Sequence, residues 1–432
     1  MMPSLTHKLA CLILCILLLS KLHHCFEEEE AKAARSVFLE DHQAIPLHGL
    51  WSAYAKFFKI IAGKKLQAQE VLNIDAYGAN SQGYLKAWKA VCSSSTPAIL
   101  MVPEKKNYVL EPITFSGPCK SSVTVMIKGS VEAPVDRSAW TDRKHWIMFS
   151  GVDNLSVGGG GVIDGNGNVW WQNSCKIKKS SPCVDAPTAL TFNGCKNLRV
   201  ENLRIQDSQQ IHVSFQSCSG VDVSHLSITA PATSPNTDGI HVTGTQSITI
   251  SDSVIATGDD CISIVSGSAN VMAKNIVCGP GHGISIGSLG GGNSKAIVSN
   301  VTVDTARLSG TTNGVRIKTY QGGSGYAKNI VFKNIVMQNV KNPIIIDQNY
   351  CDSKKPCQEQ ASAVEVGQVL YKNITGTSAS EVAIDLSCSK AAPCQGIVLQ
   401  DIDLSHQGST KSFCENAKWS KLGTVVPSPC TN

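Results

Sequence analysis

Acidic and imidazole side chains recur at regular intervals in the middle of the chain. Asp238 stands in the string SPNTDGI, Asp259 and Asp260 stand in GDDCI, and His282 stands in GPGHG. The step from Asp238 to Asp260 is 22 residues, and the step from Asp260 to His282 is again 22. Carboxylates brought close together repel one another, so at least one pKa rises and a protonated acid stands beside ionised bases. Glycoside cleavage requires this combination, with one acid for the leaving oxygen and one base for water.

Two cationic side chains and a tyrosine follow at longer steps. Arg316 and Lys318 are alternate residues of the string RIK, so on a strand they share one face and suit an anionic group. Arg316 lies 34 residues after His282, and Tyr350 lies another 34 residues on, as if these coils carry an inserted loop such as the Gly-rich stretch 287–293. Taken singly, each residue also fits a structural role in a turn or on a solvated strand face. The recurrence at similar steps is what favours catalysis.

One tempting motif is discounted. Gly283, Ser285 and Gly287 match the G-x-S-x-G pattern of serine hydrolases. That pattern works on a turn that leads into a helix, and the residues that follow here, SLGGGG, cannot open one. We therefore interpret Ser285 as a strand residue.

The elements that would position these residues are short strands in a repeat. From about residue 150 the pattern polar–Asn/Asp/His–apolar–x–apolar recurs, anchored at Asn202, His225, Asp252, Asn275, Asn300 and Asn334. The steps between anchors are 23, 27, 23, 25 and 34 residues, a period typical of a solenoid built from short strands. Helical periodicity is nearly absent, so we predict an all-β chain forming a single-stranded, right-handed parallel β-helix with coils about 4.8 Å apart. An all-β sandwich with coincidental spacing is the alternative.

The N-terminal part of the chain has a different character. Residues 1–20 contain a lysine followed by an apolar run of eleven residues, which predicts a cleaved secretory signal peptide, with an uncleaved anchor as the alternative. Residues 21–70 form an extension of uncertain structure, either a pro-segment or a poorly ordered stretch. The β-helix domain is expected to span 71–432, with a short cap helix near its start, within 71–92.

Composition and charge narrow the class of protein further. Hydrophobic residues make up 42% of the 432 residues and charged residues 16%, which excludes a disordered chain. The net charge of +5 is too weak for a nucleic-acid binder, although it suits a polyanionic partner. The sequons at Asn154, Asn300 and Asn373 permit N-glycosylation.

The cysteine content indicates an oxidising compartment. Fourteen of the 17 cysteines follow Cys25, and none belongs to a CxxC pair, so disulfides are expected and a zinc site is not. The short spacings of Cys351/Cys357 and Cys388/Cys394 predict local bridges. We expect these fourteen cysteines to staple coils and caps.

Together these motifs resemble the polygalacturonases of glycoside hydrolase family 28, especially the plant members. The family's four motifs stand here, in order, as Asn236-Thr237-Asp238, Gly258-Asp259-Asp260, Gly281-His282-Gly283 and Arg316-Ile317-Lys318. The family's downstream tyrosine is matched by Tyr350, and the resemblance runs from about Val71 to Cys430. It implies a right-handed parallel β-helix that hydrolyses α-1,4 bonds between galacturonic acids with inversion, with no metal and no other cofactor.

The resemblance also implies a role for each residue. By analogy Asp259 is the general acid, and Asp238 and Asp260 activate the attacking water. His282 would help to set the protonation and position of the acid. The residues implied in substrate binding are Asn236, Arg316, Lys318 and Tyr350.

Further expectations follow from the same resemblance. Cys261 and Cys278 match a disulfide usual in the family, which ties the coil behind the acid. The protein is expected to be a secreted, extracellular monomer of the cell wall whose partner is the polyanionic polysaccharide pectin, with no nucleic-acid partner and no membrane contact after signal cleavage. One departure is the cap region 77–92, which is shorter than in plant members and lacks their acids, so an altered cap is expected.

Several functions remain open at this point. Endo-acting hydrolysis of polygalacturonate, in cell-wall loosening or separation, is the favoured interpretation. An exo-acting polygalacturonase carries the same motifs. A rhamnogalacturonan hydrolase is disfavoured by the intact RIK, and a pectate lyase would need a calcium site. A non-catalytic β-helical wall-binding protein would keep the coils but lose the acids, all of which are present here.

Overall fold

The chain winds into parallel coils. The structure is a computed structural model that describes residues 69–140, 143–180, 182–353, 357–405 and 409–430. The predicted signal peptide, and the predicted extension up to residue 68, lie outside the described residues. Within them, no helix is long and apolar enough to cross a membrane.

The strands of the described residues are, in chain order, β1 (Glu70–Asn73), β2 (Ala98–Val102), β3 (Asn107–Val109), β4 (Ile113–Ser116), β5 (Val123–Ile127), β6 (Ser130–Glu132), β7 (His145–Ser150), β8 (Leu155–Gly158), β9 (Val162–Asp164), β10 (Thr188–Asn193), β11 (Lys196–Gln206), β12 (Val213–Gln216), β13 (Ser219–Thr229), β14 (Ile240–Thr243), β15 (Gln246–Ala256), β16 (Ile262–Ile264), β17 (Ala269–Cys278), β18 (Ile284–Leu289), β19 (Lys295–Ser309), β20 (Asn313–Tyr320), β21 (Ser324–Val340), β22 (Asn342–Tyr350), β23 (Glu365–Ser378), β24 (Val382–Ser387), β25 (Cys394–Ser405), β26 (Lys411–Glu415) and β27 (Ala417–Val426). The helices are α1 (Ser81–Ser93) and α2 (Asn168–Trp171), and 3-10 turns span Ile74–Tyr77, Arg137–Ala139 and Gly291–Asn293.

These strands form two parallel sheets that run along the stack of coils. The short-strand sheet has 11 strands in the order β4-β7-β10-β12-β14-β16-β18-β20-β22-β24-β26. The long-strand sheet has 16 strands, and its central path is β11-β13-β15-β17-β19-β21-β23-β25. Each central coil contributes one strand to each sheet, so adjacent strands of a sheet come from adjacent coils. The predicted parallel β-helix is therefore confirmed, and a sandwich is excluded.

The repeated motif marks a bend inside each long strand. Its anchor residues have left-handed backbones, as at Asn275 (φ 52°) and Asp252 (φ 51°), a conformation that Asn and Asp tolerate best among non-glycine residues. Stacked anchors also form a ladder, because Nδ2 of Asn275 donates to Oδ1 of Asp252 at 2.7 Å. The bend lets one strand turn a corner of the coil without a loop.

The assignment of Asn300 to this column of anchors is wrong. Lys274 pairs with Asp304, so the neighbour of Asn275 in the next coil is Thr305. Asn300 instead belongs to a second column of left-handed turns, where its Nδ2 donates to Oδ1 of Asn270 at 3.0 Å. Both columns need the same backbone conformation and therefore favour the same residue type, which is why the sequence pattern alone confused them.

Side chains in the interior of the coils stack in columns. The rings of Phe149 and Phe192 are 5.4 Å apart and those of Phe192 and Phe215 are 5.3 Å apart, close to the spacing of the strands that carry them. The N-terminal end is closed by α1, whose Trp88 ring lies 5.6 Å from that of Phe149. Asn80 caps this helix by accepting a hydrogen bond from the Gly83 amide at 2.9 Å. The expected cap helix is present although its first turn lacks acidic residues.

Most of the late cysteines form disulfides. The bridges are Cys92–Cys119, Cys175–Cys183, Cys261–Cys278, Cys351–Cys357, Cys388–Cys394 and Cys414–Cys430. The prediction that all fourteen act as staples is wrong for Cys195 and Cys218, which are free and buried. These two precede β11 and β13 at equivalent positions and fill the core as small apolar side chains.

Candidate active site

The predicted acids lie along the edge at which the strands of the short-strand sheet begin. Asp238, Asp260 and His282 each stand two residues before a strand, namely β14, β16 and β18. Because Ile240 pairs with Ile262, and Ile262 pairs with Ile284, the three side chains occupy equivalent positions in successive coils. Neighbouring positions are therefore separated by about 4.8 Å, one strand spacing.

Asp260 lies at the centre of a buried charge network. Its Oδ1 accepts hydrogen bonds from Nη2 of Arg316 and from Oγ of Ser285, both at 2.8 Å. Its Oδ2 accepts from Nζ of Lys318 at 2.9 Å. The two cations share one face of β20, as predicted from their alternate positions. Two positive charges thus balance this carboxylate in a site largely closed to water.

Asp238 holds its proton more strongly than an ordinary carboxyl group. Burial raises its pKa well above the usual value, and the nearby charges of Asp259 and Asp260 raise it further. Its Oδ2 accepts a 2.7 Å hydrogen bond from Oγ of Ser263. Nδ1 of His241 lies 4.0 Å from the same Oδ2. Burial lowers the pKa of this imidazole to about 4.

Asp259 forms a hydrogen-bonded pair with His282. Nδ1 of His282 donates to Oδ1 of Asp259 at 2.8 Å, and the amide of Asp260 donates to the same oxygen at 2.8 Å. Burial alone would raise the pKa of Asp259, but the hydrogen bond and charge of His282, with the charge of Lys318, lower it. The same contact raises the pKa of His282. The pKa of Asp238 is thus raised, whereas Asp259 has a lowered pKa and shares its proton with an imidazole.

The GDD turn depends on its neighbours for its shape. A Cβ atom at Gly258 would clash with the carbonyl oxygen of Ser234, so only glycine fits there. The amide of Gly258 donates to Oγ1 of Thr237, the middle residue of the NTD motif, at 3.0 Å. Asp259 and Asp260 therefore lie in a turn and not in a strand, which lets both side chains reach the same cluster.

The remaining predicted residues lie at the margins of this cluster. The Tyr350 ring centre is 5.4 Å from Nζ of Lys318 and 5.1 Å from the ring of Tyr320. Asn236 is exposed, has a left-handed backbone, and stands two residues before Asp238. The structure therefore connects Tyr350 to the acids through Lys318.

Several polar residues of the site were missed or undervalued from the sequence. Ser263 pairs in register with His241, and Ser285 pairs in register with Ser263, so all three lie on the outward face of their strands. Each serine donates a hydrogen bond to an acid. His212 is fully buried, and its backbone amide donates to the Asp238 carbonyl at 2.8 Å. The sequence signal for these two serines was the alternation of apolar and polar residues in the strings ISI at 262–264 and 284–286. On a strand this alternation places each serine on the face opposite to the apolar core.

A metal ion would have to compete with contacts that the protein already makes. One carboxylate oxygen each from Asp259 and Asp260 and a ring nitrogen of His282 lie within 4.8 Å of one another, a spacing that suits a cation. Asp259 already binds His282, however, and the Asp260 carboxylate already binds Arg316 and Lys318. The donor set is therefore satisfied by protons and side-chain cations.

Comparison with known proteins adds a family to this geometry. Residues 92–426 match the model described as glycosyl hydrolases family 28. The chain is 56% identical over 372 residues to polygalacturonase-2 of Solanum lycopersicum, covering 84% of this chain and 81% of that protein. It is 58% identical over 366 residues to a polygalacturonase of Malus domestica, covering 83% and 79%.

Solved structures share the fold. The polygalacturonase of Erwinia carotovora superposes with a TM-score of 0.65 at 26% identity, covering 82% of this chain and 96% of that one. An endo-xylogalacturonan hydrolase of Aspergillus tubingensis superposes with a TM-score of 0.69 at 24% identity, covering 78% and 95%. The coils of the chain thus follow the right-handed parallel β-helix of these pectin-degrading enzymes.

Proposed function

The chain belongs to the glycosyl hydrolases of family 28 and hydrolyses polygalacturonate and pectin, and we propose that it does so by endo attack with inversion. The observation that supports the inverting mechanism is that three neighbouring carboxyl groups have different environments. Asp260 is held by two cations, Asp238 has a raised pKa, and Asp259 is paired with an imidazole. Three neighbouring carboxyl groups thus differ in their charged and hydrogen-bonded partners, and acid and base catalysis requires groups whose environments differ in this way.

The acid is the pair of Asp259 and His282. In the free protein the pair holds one proton as a carboxylate and an imidazolium, since the pKa of Asp259 is lowered and that of His282 is raised. A bound polysaccharide covers the pair and excludes water, which disfavours separated charges and moves the proton to Asp259. Asp259 then donates that proton to the leaving glycosidic oxygen.

The base is the pair of Asp238 and Asp260. A raised pKa makes ionised Asp238 a stronger base towards water than an ordinary carboxylate. The Asp260 carboxylate accepts three hydrogen bonds from Arg316, Ser285 and Lys318 and has room for about one more. A carboxylate held this tightly is a poor nucleophile, so attack by a water molecule held between the two acids, with inversion, is favoured over a covalent intermediate.

Arg316 and Lys318 bind a substrate carboxylate from the same positions. Arg316 uses Nε and one terminal nitrogen on Ser285 and Asp260, and a guanidinium has five donors in all. Lys318 donates to Asp260 and has further protons to offer. Tyr350, beside Lys318, and exposed Asn236 complete the proposed substrate contacts.

Asp259→Asn tests the assignment of the acid. We expect the variant to fold normally and to release almost no reducing ends from polygalacturonate, because Asn cannot donate a proton as a carboxyl does. Folding is checked by the melting temperature, and retained activity would contradict the role of Asp259.

Two product measurements test endo attack and inversion on the wild type. Endo attack predicts that viscosity falls well before many reducing ends appear, whereas monomer release with sustained viscosity would indicate the exo alternative. Inversion predicts that proton NMR of fresh product shows the β-anomer first. An initial α-anomer would indicate a covalent intermediate instead.

We also propose that the protein is secreted to the cell wall and acts there as a monomer. The proposed organisation is a signal peptide at 1–20, an extension at 21–70 and the catalytic domain at 71–432, which the sequence pattern supports. N-terminal sequencing of protein recovered from the medium of expressing plant cells would locate the cleavage, and gel filtration with light scattering would give the mass. A first residue at position 20 or earlier, or a dimer mass, would contradict the respective statement.

A further inference from the structure

Two disulfide-closed loops meet through an ion pair. The first loop lies between α2 and β10 and is closed by Cys175–Cys183. The second follows β22 and is closed by Cys351–Cys357. Nζ of Lys176, in the first loop, lies 2.8 Å and 2.9 Å from the two carboxylate oxygens of Asp352, in the second.

The two loops lie at opposite ends of the strands of the short-strand sheet. The first leads into the start of β10, and the second leaves from the end of β22. In the sheet, β22 is six strands from β10, with β12, β14, β16, β18 and β20 between them, a separation of about 29 Å at the usual strand spacing. The loops therefore begin on opposite sides of the strands that position the catalytic groups.

The contact between the loops crosses the outer face of that sheet. The inner face is filled by the core, where side chains such as Phe192 of β10 and Ile344 of β22 are fully buried. A link from one edge to the other must pass over the opposite face, on which His241, Ser285 and Arg316 lie. Lys176 and Asp352 thus join loops from the two sides of this outer face, which we call the catalytic groove because the catalytic groups line it.

The two ends of this link are held firmly. At the first loop, Trp170 and Trp171 of α2 are buried, and Nε1 of Trp171 donates to the Ser208 carbonyl at 3.1 Å. At the second loop, Asp352 is two residues after Tyr350, which lies against Lys318 of the site. The disulfides shorten both loops, so the ion pair joins two restrained segments.

We propose that Lys176 and Asp352 form a strap over the groove that retains the polysaccharide between successive cuts. The inference rests on the proposed function, because it needs a polymer lying in the groove. The side chains are 46% and 53% exposed, and exposed ion pairs of this kind are weak. The strap therefore opens readily enough for the middle of a chain to enter from the side, and when closed it delays the departure of that chain.

The strap predicts how cuts are distributed among chains. An enzyme that keeps its substrate makes several cuts in one chain before release, so short oligomers appear while most chains are still intact. Without the strap, each encounter yields fewer cuts, and the first products are long fragments. The chemistry at Asp259 and Asp238 is unchanged, so rates on short oligogalacturonides stay the same.

The experiment compares Lys176→Ala, Asp352→Ala and the charge exchange Lys176→Asp/Asp352→Lys with the full-length wild type. At low conversion of polygalacturonate, the share of new reducing ends found in short oligomers is measured beside the initial rate on a short oligomer and the melting temperature. The matched control is Lys411→Ala, which breaks an exposed ion pair with Glu381 (2.7 Å; side chains 62% and 65% exposed) at the start of β24 and β26, beyond the last strand of the site.

Both single variants should lower the short-oligomer share by about two- to fivefold, the range that an exposed ion pair supports. The charge exchange should restore it, and the control should match the wild type. A plain substrate-binding role for Lys176 gives a different result, because removing Asp352 would then improve binding while removing Lys176 weakens it.

Opposite effects of the two single variants, or a share unchanged in both, would overturn the strap. The proposed function is tested separately by the wild type. If the wild type leaves polygalacturonate intact, that function is wrong and the strap falls with it. If the wild type is active but the pattern is insensitive to Lys176 and Asp352, only the strap is wrong.

Discussion

Lys318 and Asp260 form an ion pair of 2.9 Å in which the two side chains are only 10% and 2% exposed. This lysine therefore does more than attract the substrate, because it also holds the charge of a proposed base. A role in substrate binding alone, as the sequence suggests, predicts a change mainly in KM. The contact indicates that kcat and stability depend on Lys318 as well.

The first prediction concerns this lysine. Lys318→Met keeps much of the side-chain length but removes the charge, and we expect kcat to fall about 100-fold, the loss typical of removing one charge-stabilising donor from a catalytic site. The free energy of unfolding should fall by about 2 kcal/mol, less than for a fully broken buried pair, because Arg316 still binds Asp260. Steady-state kinetics and urea denaturation measure both quantities.

Lys328→Met is the matched control for that experiment. Lys328 forms an exposed ion pair of 2.7 Å with Glu365, away from the acids, and its loss should leave kcat unchanged. If Lys318→Met changed KM alone, with kcat and stability equal to the control, the structural role of the pair would be refuted.

The second prediction uses the raised pKa of Asp238. A carboxyl with a raised folded pKa holds a proton in the folded state that the unfolded chain has released, so its contribution to stability is full below the ordinary aspartate pKa of 3.8 and is lost as pH rises through the folded pKa. Asp238→Asn has no carboxyl group to ionise at this position, so it avoids this fall in stability at higher pH. The variant should be inactive yet more resistant to urea than the wild type above that pKa, and the difference should shrink as pH falls towards 3.8.

Urea denaturation across a pH series measures the second prediction. Because ionised Asp238 is the proposed base, the acid limb of the wild-type kcat/KM profile should also lie above the ordinary range for an aspartate. A variant no more stable than the wild type at any pH would argue against a protonated Asp238.

The third prediction concerns the pair of His282 and Asp259. While both are present, the pair keeps its proton up to the pKa of His282, which the hydrogen bond to Asp259 raises above that of an ordinary histidine. In His282→Gln only Asp259 holds the proton, and it releases it at a lower, carboxyl-type pKa. The alkaline limb of kcat/KM should therefore move to lower pH, with a loss of about 100-fold at the optimum.

The pH profile of kcat/KM separates two roles for His282. A purely structural histidine would lower the activity evenly without moving the limb. An unchanged limb in His282→Gln would therefore rule out a shared proton.

The fourth prediction tests a residue that the sequence analysis treated as part of a strand. Oγ of Ser285 donates to Asp260 and accepts from Nε of Arg316 at 3.0 Å, and the side chain is fully buried. Ser285→Ala should lower the free energy of unfolding by about 1–3 kcal/mol, because a buried Nε–H loses its acceptor. Activity should fall with it, while Ser285→Thr, which keeps the hydroxyl, should recover part of both.

The fifth prediction concerns the disulfide Cys261–Cys278, which begins at the residue after Asp260. It closes a loop with a sequence separation of 17, so replacing both cysteines by serine should lower the free energy of unfolding by about 3 kcal/mol in the chain-entropy view. The Asp259–Asp260 turn also loses an anchor, so kcat should fall. Replacement of Cys351 and Cys357, whose loop has a separation of 6, should cost less stability.

Much of the fold and of the acid column follows from regular spacing. Equal steps of 22 residues between Asp238, Asp260 and His282 mean equal positions in successive coils, because every coil winds in the same direction and pairs in register. The shared face of Arg316 and Lys318 follows equally from strand alternation. These inferences need only the period and the strand geometry.

The directions of the pKa shifts of Asp238 and Asp259 could not be read in this way. They depend on which carboxyl the cations of β20 reach, and Arg316 lies 56 residues after Asp260. They also depend on the donors that face each acid, such as Ser263 for Asp238 and His282 for Asp259. The assignment of Asn300 to the first column of turns was wrong for a related reason. Two columns of turns favour the same residue type, and only the strand pairing distinguishes them.

The stacking of catalytic residues on successive coils determines how the molecule can change in length. The site uses the consecutive strands β14, β16, β18 and β20, and the coils beyond β22 or before β10 only extend the stack. Duplication of a whole coil outside that block would lengthen the groove and leave the chemistry intact. The same duplication inside the block would move the acids apart by about 4.8 Å and abolish it. Variation in the number of coils among such proteins should therefore be confined to the two ends.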